Sequence, residues 1–228
     1  MPQSRPVIAF DLDGTLVDTA PDLLATLDTV LADYAIAPVD REATRNMIGG
    51  GARMLIVRAL EHNGIMPPKD ELDALTRRFI AHYADHIADQ SRPFPGLLDA
   101  LDALEAEGAL LAVCTNKLEY LARLLLDRLD LTKRFAAITG ADTYAKAKPD
   151  PLPLLSTFAA AGGTGRYGLM VGDSATDVAT AKGAGVPVVA VSFGYTEVAP
   201  AHLGADTLIN HFDELQGAVR DLLRHPAA

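Results

Sequence analysis

The sequence predicts a doubly wound α/β fold: a parallel sheet between helices, with a smaller helical unit inserted after the first strand. Three observations predict it. Short β-prone apolar runs recur along the 228 residues, at 7–10, 110–114, 136–139, 169–171, 188–191 and, more weakly, 207–209. None alternates apolar with polar residues, so they suit strands buried on both faces, as parallel strands are. Helical stretches separate most of them, and strands alternating with helices imply right-handed crossovers. One interval is out of scale. From Asp13 to Leu110 the chain runs far past the roughly 30 residues of an ordinary βαβ unit.

The elements follow in order. The first run ends at Phe10. Beyond it, Leu23, Leu27, Val30 and Leu31 make one apolar helix face, and Leu72, Leu75, Phe79, Tyr83 and Ile87 make another. Pro93-Phe94-Pro95-Gly96 punctuates the return to the sheet. This pattern predicts a helical cap domain over residues 18–90, set above the C-terminal end of the first strand. Residues 1–17 and 91–228 then form the α/β core. Leu97, Leu98, Leu101 and Leu104 line the next helix; Leu121, Leu124, Leu125 and Leu129 line the one after. A further helix begins near Pro151, and Gly162-Gly163-Thr164-Gly165 reads as a short loop.

Composition narrows the function classes. With 49% hydrophobic residues the chain can bury a substantial core. A formal net charge of −10 argues against nucleic acid or an anionic membrane as partner, because both reward basic patches. An anionic ligand must therefore be attracted locally, by a few cations or a metal. Cys114 is the single cysteine, so no intrachain disulfide forms; its apolar run marks it as a buried strand residue rather than a reactive thiol. The apolar stretch at 7–10 is too short for a signal segment and no run reaches membrane-spanning length, so a cytoplasmic location is expected. Monomer and homodimer both remain open.

The chemistry-bearing residues sit at run ends. Asp11 and Asp13 lie just past the first, where ligands of open α/β sheets bind. Two carboxylates one residue apart, followed by Gly14, repel each other without a cation, and a hard oxygen-seeking ion such as Mg²⁺ is the natural answer. Thr115-Asn116 follows the second run. Lys148-Pro149 precedes a helix, and the proline biases Lys148 towards an extended backbone. Gly172-Asp173-Ser174-Ala175-Thr176-Asp177 closes another run and opens a helix.

The stretch Phe10-Asp11-Leu12-Asp13-Gly14-Thr15-Leu16-Val17-Asp18-Thr19 resembles the first motif of the haloacid dehalogenase superfamily in its phosphatase form. The other three matches follow in that family's order, so the resemblance covers essentially the whole chain, the cap being its least diagnostic part. It implies a Rossmann-like core and Mg²⁺-dependent phosphomonoester hydrolysis through an aspartyl-phosphate. On that resemblance Asp11 is the nucleophile and Asp13 the general acid and base. The metal is held by the Asp11 carboxylate, the Asp13 backbone carbonyl and Asp173, with Asp177 one helical turn on. Thr115, Asn116, Lys148 and Gly14 receive the phosphoryl group, and Lys148 also offsets the carboxylates. Two placements stay open: Lys117 either reaches the substrate or lies at the surface, and Asp177 either joins the metal or complements the helix dipole.

A cap that closes over the leaving group sets specificity. In Ile48-Gly49-Gly50-Gly51-Ala52-Arg53, backbone N–H groups at a helix start, with Arg53 in its first turn, suit a small carboxylate; an ordinary turn with a solvated arginine is the alternative. This turn and the opening Leu16-Val17-Asp18-Thr19-Ala20-Pro21-Asp22-Leu23 resemble the phosphoglycolate phosphatase branch, which implies 2-phosphoglycolate as substrate and glycolate and phosphate as products. A β-phosphoglucomutase-like mutase, or a broad sugar-phosphate or nucleotide phosphatase, would keep the same core motifs. A haloacid dehalogenase would leave Asp13, Asp173 and Asp177 idle, and a non-catalytic binding protein would keep the fold without turnover. His82 and His86 stand four apart, but Tyr83 follows where a metalloprotease helix carries glutamate, so both are expected at the surface.

Overall fold

The computed structural model describes residues 5–34, 36, 44–196 and 198–224. From the N-terminus come β1 (Val7–Phe10), β2 (Val17–Asp18), α1 (Ala20–Leu31), α2 (Ala52–His62), α3 (Lys69–Asp85) and β3 (Arg92–Pro93). Then follow α4 (Leu97–Ala106), β4 (Leu110–Cys114), α5 (Glu119–Arg128), β5 (Ala137–Thr139), α6 (Leu152–Ala160), β6 (Gly168–Gly172), α7 (Ala175–Ala184), β7 (Val188–Val191), β8 (Thr207–Ile209) and α8 (Leu215–Arg224). Six strands pair in the order β5-β4-β1-β6-β7-β8, all parallel. This is the Rossmann-like sheet the apolar runs predict.

Successive strand residues point to opposite faces, and each face has its own core. Ile8, Phe10, Leu111, Val113, Leu169, Val171, Val189 and Val191 pack on one side with residues of α4, α5 and α8. Val7, Ala9, Ala112, Cys114, Met170, Val188 and Ala190 pack on the other with residues of α6 and α7. Two-sided burial is why the runs carry no polar alternation. One helix face differs from expectation: Leu98 is exposed, and Leu97, Ala100, Leu101 and Leu104 form the buried stripe. A helix turns about 100° per residue, so Leu97 and Leu98 cannot share the centre of a face.

The inserted helices pack on one another, with α3 contacting both α1 and α2. Leu23, Leu27, Val30 and Leu31 of α1 meet Leu75, Phe79 and Tyr83 of α3 in a core continuous with one face of the sheet. An antiparallel ribbon, β2 with β3, brackets the insert where the chain leaves and re-enters the sheet region. Two residues per strand show no periodicity, so the sequence carries no signal for it.

Asp22, buried in the first turn of α1, fastens the same junction. Its carboxylate accepts from the backbone N–H groups of Gln90 and Ser91 and from Ser91 Oγ, at 2.6–3.1 Å. Asp22→Ala strands these donors and is expected to cost about 3 kcal/mol. A urea titration would register it as a lower midpoint at unchanged slope, and an unshifted midpoint would exclude Asp22 as the fastener. Among the described residues no helix is long and apolar enough to cross a membrane.

Candidate active site

The sheet order reverses about β1: the chain winds outward through β4 and β5 on one side and through β6, β7 and β8 on the other. Open α/β sheets bind ligands at the C-terminal ends of the strands beside such a reversal. Asp11 follows β1 directly, Thr115 follows β4 and Asp173 follows β6. Lys148 comes from the loop after β5, its peptide bond to Pro149 being cis.

Asp11, Asp173 and Asp177 are all buried, and each offers an oxygen within 4.8 Å of the others. Lys148 Nζ lies 3.1 Å from Asp11 Oδ1 and 2.6 Å from Asp177 Oδ1. One ammonium does not balance three buried carboxylates. Burial pushes the Asp11 carboxyl up to about 6; Lys148 and the Thr115 hydroxyl pull it down, while Asp177 and Asp13 push it further up. Burial, then Asp177 and Asp11, carry Asp173 well above the usual carboxylate range. For Lys148 burial works against the charge, but Asp11 and Asp177 outweigh it and hold the ammonium more firmly protonated than usual. An all-oxygen set with surplus negative charge fits a hard divalent cation.

The cluster is held from below. Asp173 Oδ1 accepts from Thr15 Oγ1 at 3.0 Å, and its Oδ2 from the backbone N–H of Tyr195 at 2.5 Å. Gly14, with φ +79°, passes so close that a Cβ there would stand 2.4 Å from Asp173 Oδ2, and one on Gly194 would stand 2.2 Å from Asp173 Cβ. Gly14 is thus required by the approach of Asp173. Asp177 serves the helix start and also lies in the carboxylate cluster. Its Oδ2 accepts from the backbone N–H of Ser174 in a reciprocal capping box opening α7, and its Oδ1 takes Lys148.

Asp13 stands apart from the carboxylate cluster. Its two oxygens accept from Lys117 Nζ at 2.9 and 3.0 Å. Lys117, open between site and surface in the sequence, is buried, its side chain 5% exposed and its ammonium 4.5 Å from the centre of the Tyr83 ring. Asn116 lines the cavity; its amide donates to the Lys148 carbonyl at 3.1 Å, bracing that loop, and its Oδ1 is buried without a partner among the described residues. Arg53 does reach the cavity wall, but its guanidinium is paired with Asp73 and its side chain is 42% exposed. His86 Nδ1 bonds Asp89 and His82 Nδ1 bonds Thr26, with the two rings 4.5 Å apart. Cys114 is buried, which pushes its thiol up and away from reactivity.

Tyr195 is the residue sequence reasoning missed. Only 2% exposed, it sends its backbone N–H to Asp173, while its hydroxyl donates to Asp18 and accepts from the N–H of Ala20 at 2.9 Å. It therefore joins the carboxylate cluster to the start of the insert. The one local signal is Gly194 before it, just past β7.

A cavity of ≈ 220 Å³ opens over this arrangement, with Asp11, Asp13 and Lys117 on the sheet side and the glycine turn at 49–51 with Tyr83 on the insert side. Chemically it combines a carboxylate fit for nucleophilic attack, a cation-suited cluster behind it and a second carboxylate placed for proton transfer.

The haloacid dehalogenase-like hydrolase family model matches residues 8–191. A phosphoglycolate phosphatase of Mesorhizobium japonicum is 48% identical over 212 residues, covering 93% of this chain and 93% of the relative. One of Agrobacterium fabrum is 45% identical, covering 96% of this chain and 94% of its own. The crystal structure of a predicted phosphoglycolate phosphatase from Haemophilus somnus superposes with a TM-score of 0.86 at 29% identity, over 96% of this chain and 99% of that one.

Proposed function

The chain belongs to the haloacid dehalogenase-like hydrolases, and on that premise we propose that it is a Mg²⁺-dependent phosphatase converting 2-phosphoglycolate to glycolate and phosphate through an aspartyl-phosphate. The observation that carries the reading is Asp11, buried at the end of β1 among Asp173, Asp177 and Lys148 and facing the small cavity. Asp11, Asp173, Asp177 and the Asp13 carbonyl would hold Mg²⁺, which when bound screens the nucleophile from the anionic phosphate and stabilises charge in transfer.

Asp11 attacks phosphorus, the ester P–O bond breaks, and the phosphoryl group passes to its carboxylate. Asp13 takes up a proton from solvent before the transfer, gives it to the departing alkoxide, and then takes one from the water that cleaves the acyl phosphate. Lys148 and Thr115 fix Asp11 and meet the phosphoryl oxygens. Residues 18–90 act as the cap. Substrate size supports a short leaving group, since ≈ 220 Å³ is below the roughly 300–1,000 Å³ of pockets for larger metabolites and drugs. A dehalogenase would have no use for Asp173 and Asp177 buried beside the nucleophile. A cytoplasmic place, with the lone Cys114 reduced, completes the reading.

With Mg²⁺, kcat/KM for 2-phosphoglycolate is expected to exceed that for sugar phosphates and nucleotides by about 100-fold, and chelation to abolish turnover reversibly. A flat profile across such a panel would reject the dedicated substrate. Chloride release from a haloacid, with the phosphate esters left intact, would reject the phosphatase.

A further inference from the structure

Among the described residues, two cationic side chains line the cavity, Arg53 and Lys117. Both are paired, but they differ in how much water surrounds them. Arg53 meets Asp73 through Nη1 and its side chain is 42% exposed, so water screens its charge towards a further anion. Lys117 is almost wholly enclosed, and inside a low-dielectric wall the same charge acts far more strongly. Its ammonium carries three N–H groups, and Asp13 occupies two directions.

The surroundings of Lys117 add a second, independent sign of a ligand. Tyr83 lines the cavity with its ring against the ammonium; its hydroxyl is buried and has no hydrogen-bond partner among the described residues. Such an orphaned buried donor is costly unless something else satisfies it. Burial, then the charges of Asp13 and Asp22, push the Tyr83 phenol well above its usual value, so it remains a neutral donor. Across the cavity lies the start of α2, whose N-cap residue Gly51 comes so close to the sheet-side loop that a Cβ there would stand 3.4 Å from the Asn116 carbonyl.

From these positions we infer that Lys117, assisted by the Tyr83 hydroxyl, is the specificity residue that receives a carboxylate on the leaving group, and that Arg53 is not. The inference rests on the phosphatase reading and on Asp13 as its acid. The ester oxygen must sit at Asp13 to be protonated as it departs, and a carboxylate one methylene from that oxygen then falls beside the ammonium that holds Asp13. The substrate class is therefore the phosphate esters of short 2-hydroxy acids. On binding, the carboxylate takes Lys117 from Asp13, and Asp13, having taken up a proton from solvent in place of the ammonium, turns to the ester oxygen. A substrate with a neutral tail leaves the Lys117–Asp13 pair closed.

The test compares two substrates that differ in the carboxylate, 2-phosphoglycolate and ethyl phosphate, in wild type, Lys117→Met, Lys117→Arg, Tyr83→Phe and Arg53→Ala. The quantity read is the ratio of their kcat/KM values, which cancels general damage to the site. Lys117→Met is expected to lower that ratio about 30-fold, the worth of one charge-assisted hydrogen bond. Tyr83→Phe should lower it several-fold, Arg53→Ala less than threefold, and Lys117→Arg should restore part of the Met loss. Each variant's thermal midpoint identifies unfolded protein, and Lys117→Arg keeps the charge should Lys117→Met fail to fold. A ratio unchanged in Lys117→Met, or lowered chiefly in Arg53→Ala, overturns the inference. Wild-type protein that hydrolyses neither ester refutes the phosphatase reading instead. Wild type that hydrolyses both equally refutes the carboxylate preference itself.

Discussion

Asp11→Asn protein is expected to fold and to retain at most about one part in 10⁴ of wild-type turnover. Asparagine keeps the shape of the side chain at the end of β1 but cannot form an acyl phosphate. Stability should not follow activity down. In the metal-free protein the Asp11 carboxyl is held at about 6, against its ordinary 3.8, mainly by burial. A raised acid favours the native state fully below pH 4, and that contribution is lost as pH rises through 6. Asp173 is raised for the same reason and acts in the same direction. Metal-free Asp11→Asn should therefore lose less stability than wild type between pH 4 and 6. Parallel calorimetry of the two proteins across that range reads the difference, and equal losses would contradict the burial account. Retained turnover would remove Asp11 as nucleophile.

Lys148→Met should have the opposite profile, with stability and activity failing together. The variant leaves Asp11 and Asp177 buried without the ammonium that now stands 3.1 and 2.6 Å from them. Breaking a buried ion cluster by removing one partner typically costs about 3–5 kcal/mol, which for a chain of this size is roughly 10 °C in Tm. Mg²⁺ should recover part of that loss, because the cation supplies the charge the carboxylates lack, and Lys148→Arg should lose less than Lys148→Met. Unchanged Tm in Lys148→Met would mean the three carboxylates share their charge in some other way.

How legible the molecule was depends on the range of the interaction. The six strands and the helices around them are legible because apolar runs and helical stripes are local patterns, and a strand buried on both faces needs nothing more to reveal it. Leu98 shows the limit: four leucines look like one face until the turn angle is applied. The β2–β3 ribbon is too short to have a period. At the site, Asp11, Thr115 and Asp173 are legible because each directly follows a strand, and Lys148 because it forms a Lys-Pro pair four residues before α6. Tyr195 was not found, since its partners Asp18, Ala20 and Asp173 are remote in sequence and no motif announces it.

By itself the sequence determined the sheet, the order of its elements, the acidic chemistry at the strand ends and the family they resemble. These follow from local periodicity and from residues that must stand at fixed points on one backbone. Only the tertiary structure decided how charge is shared among them: Lys148 between Asp11 and Asp177, Lys117 with Asp13, Arg53 with Asp73. Which carboxylate a cation pairs with depends on distances of a few ångströms between segments far apart in the chain, and on how much water burial has removed. Spacing along the sequence encodes neither.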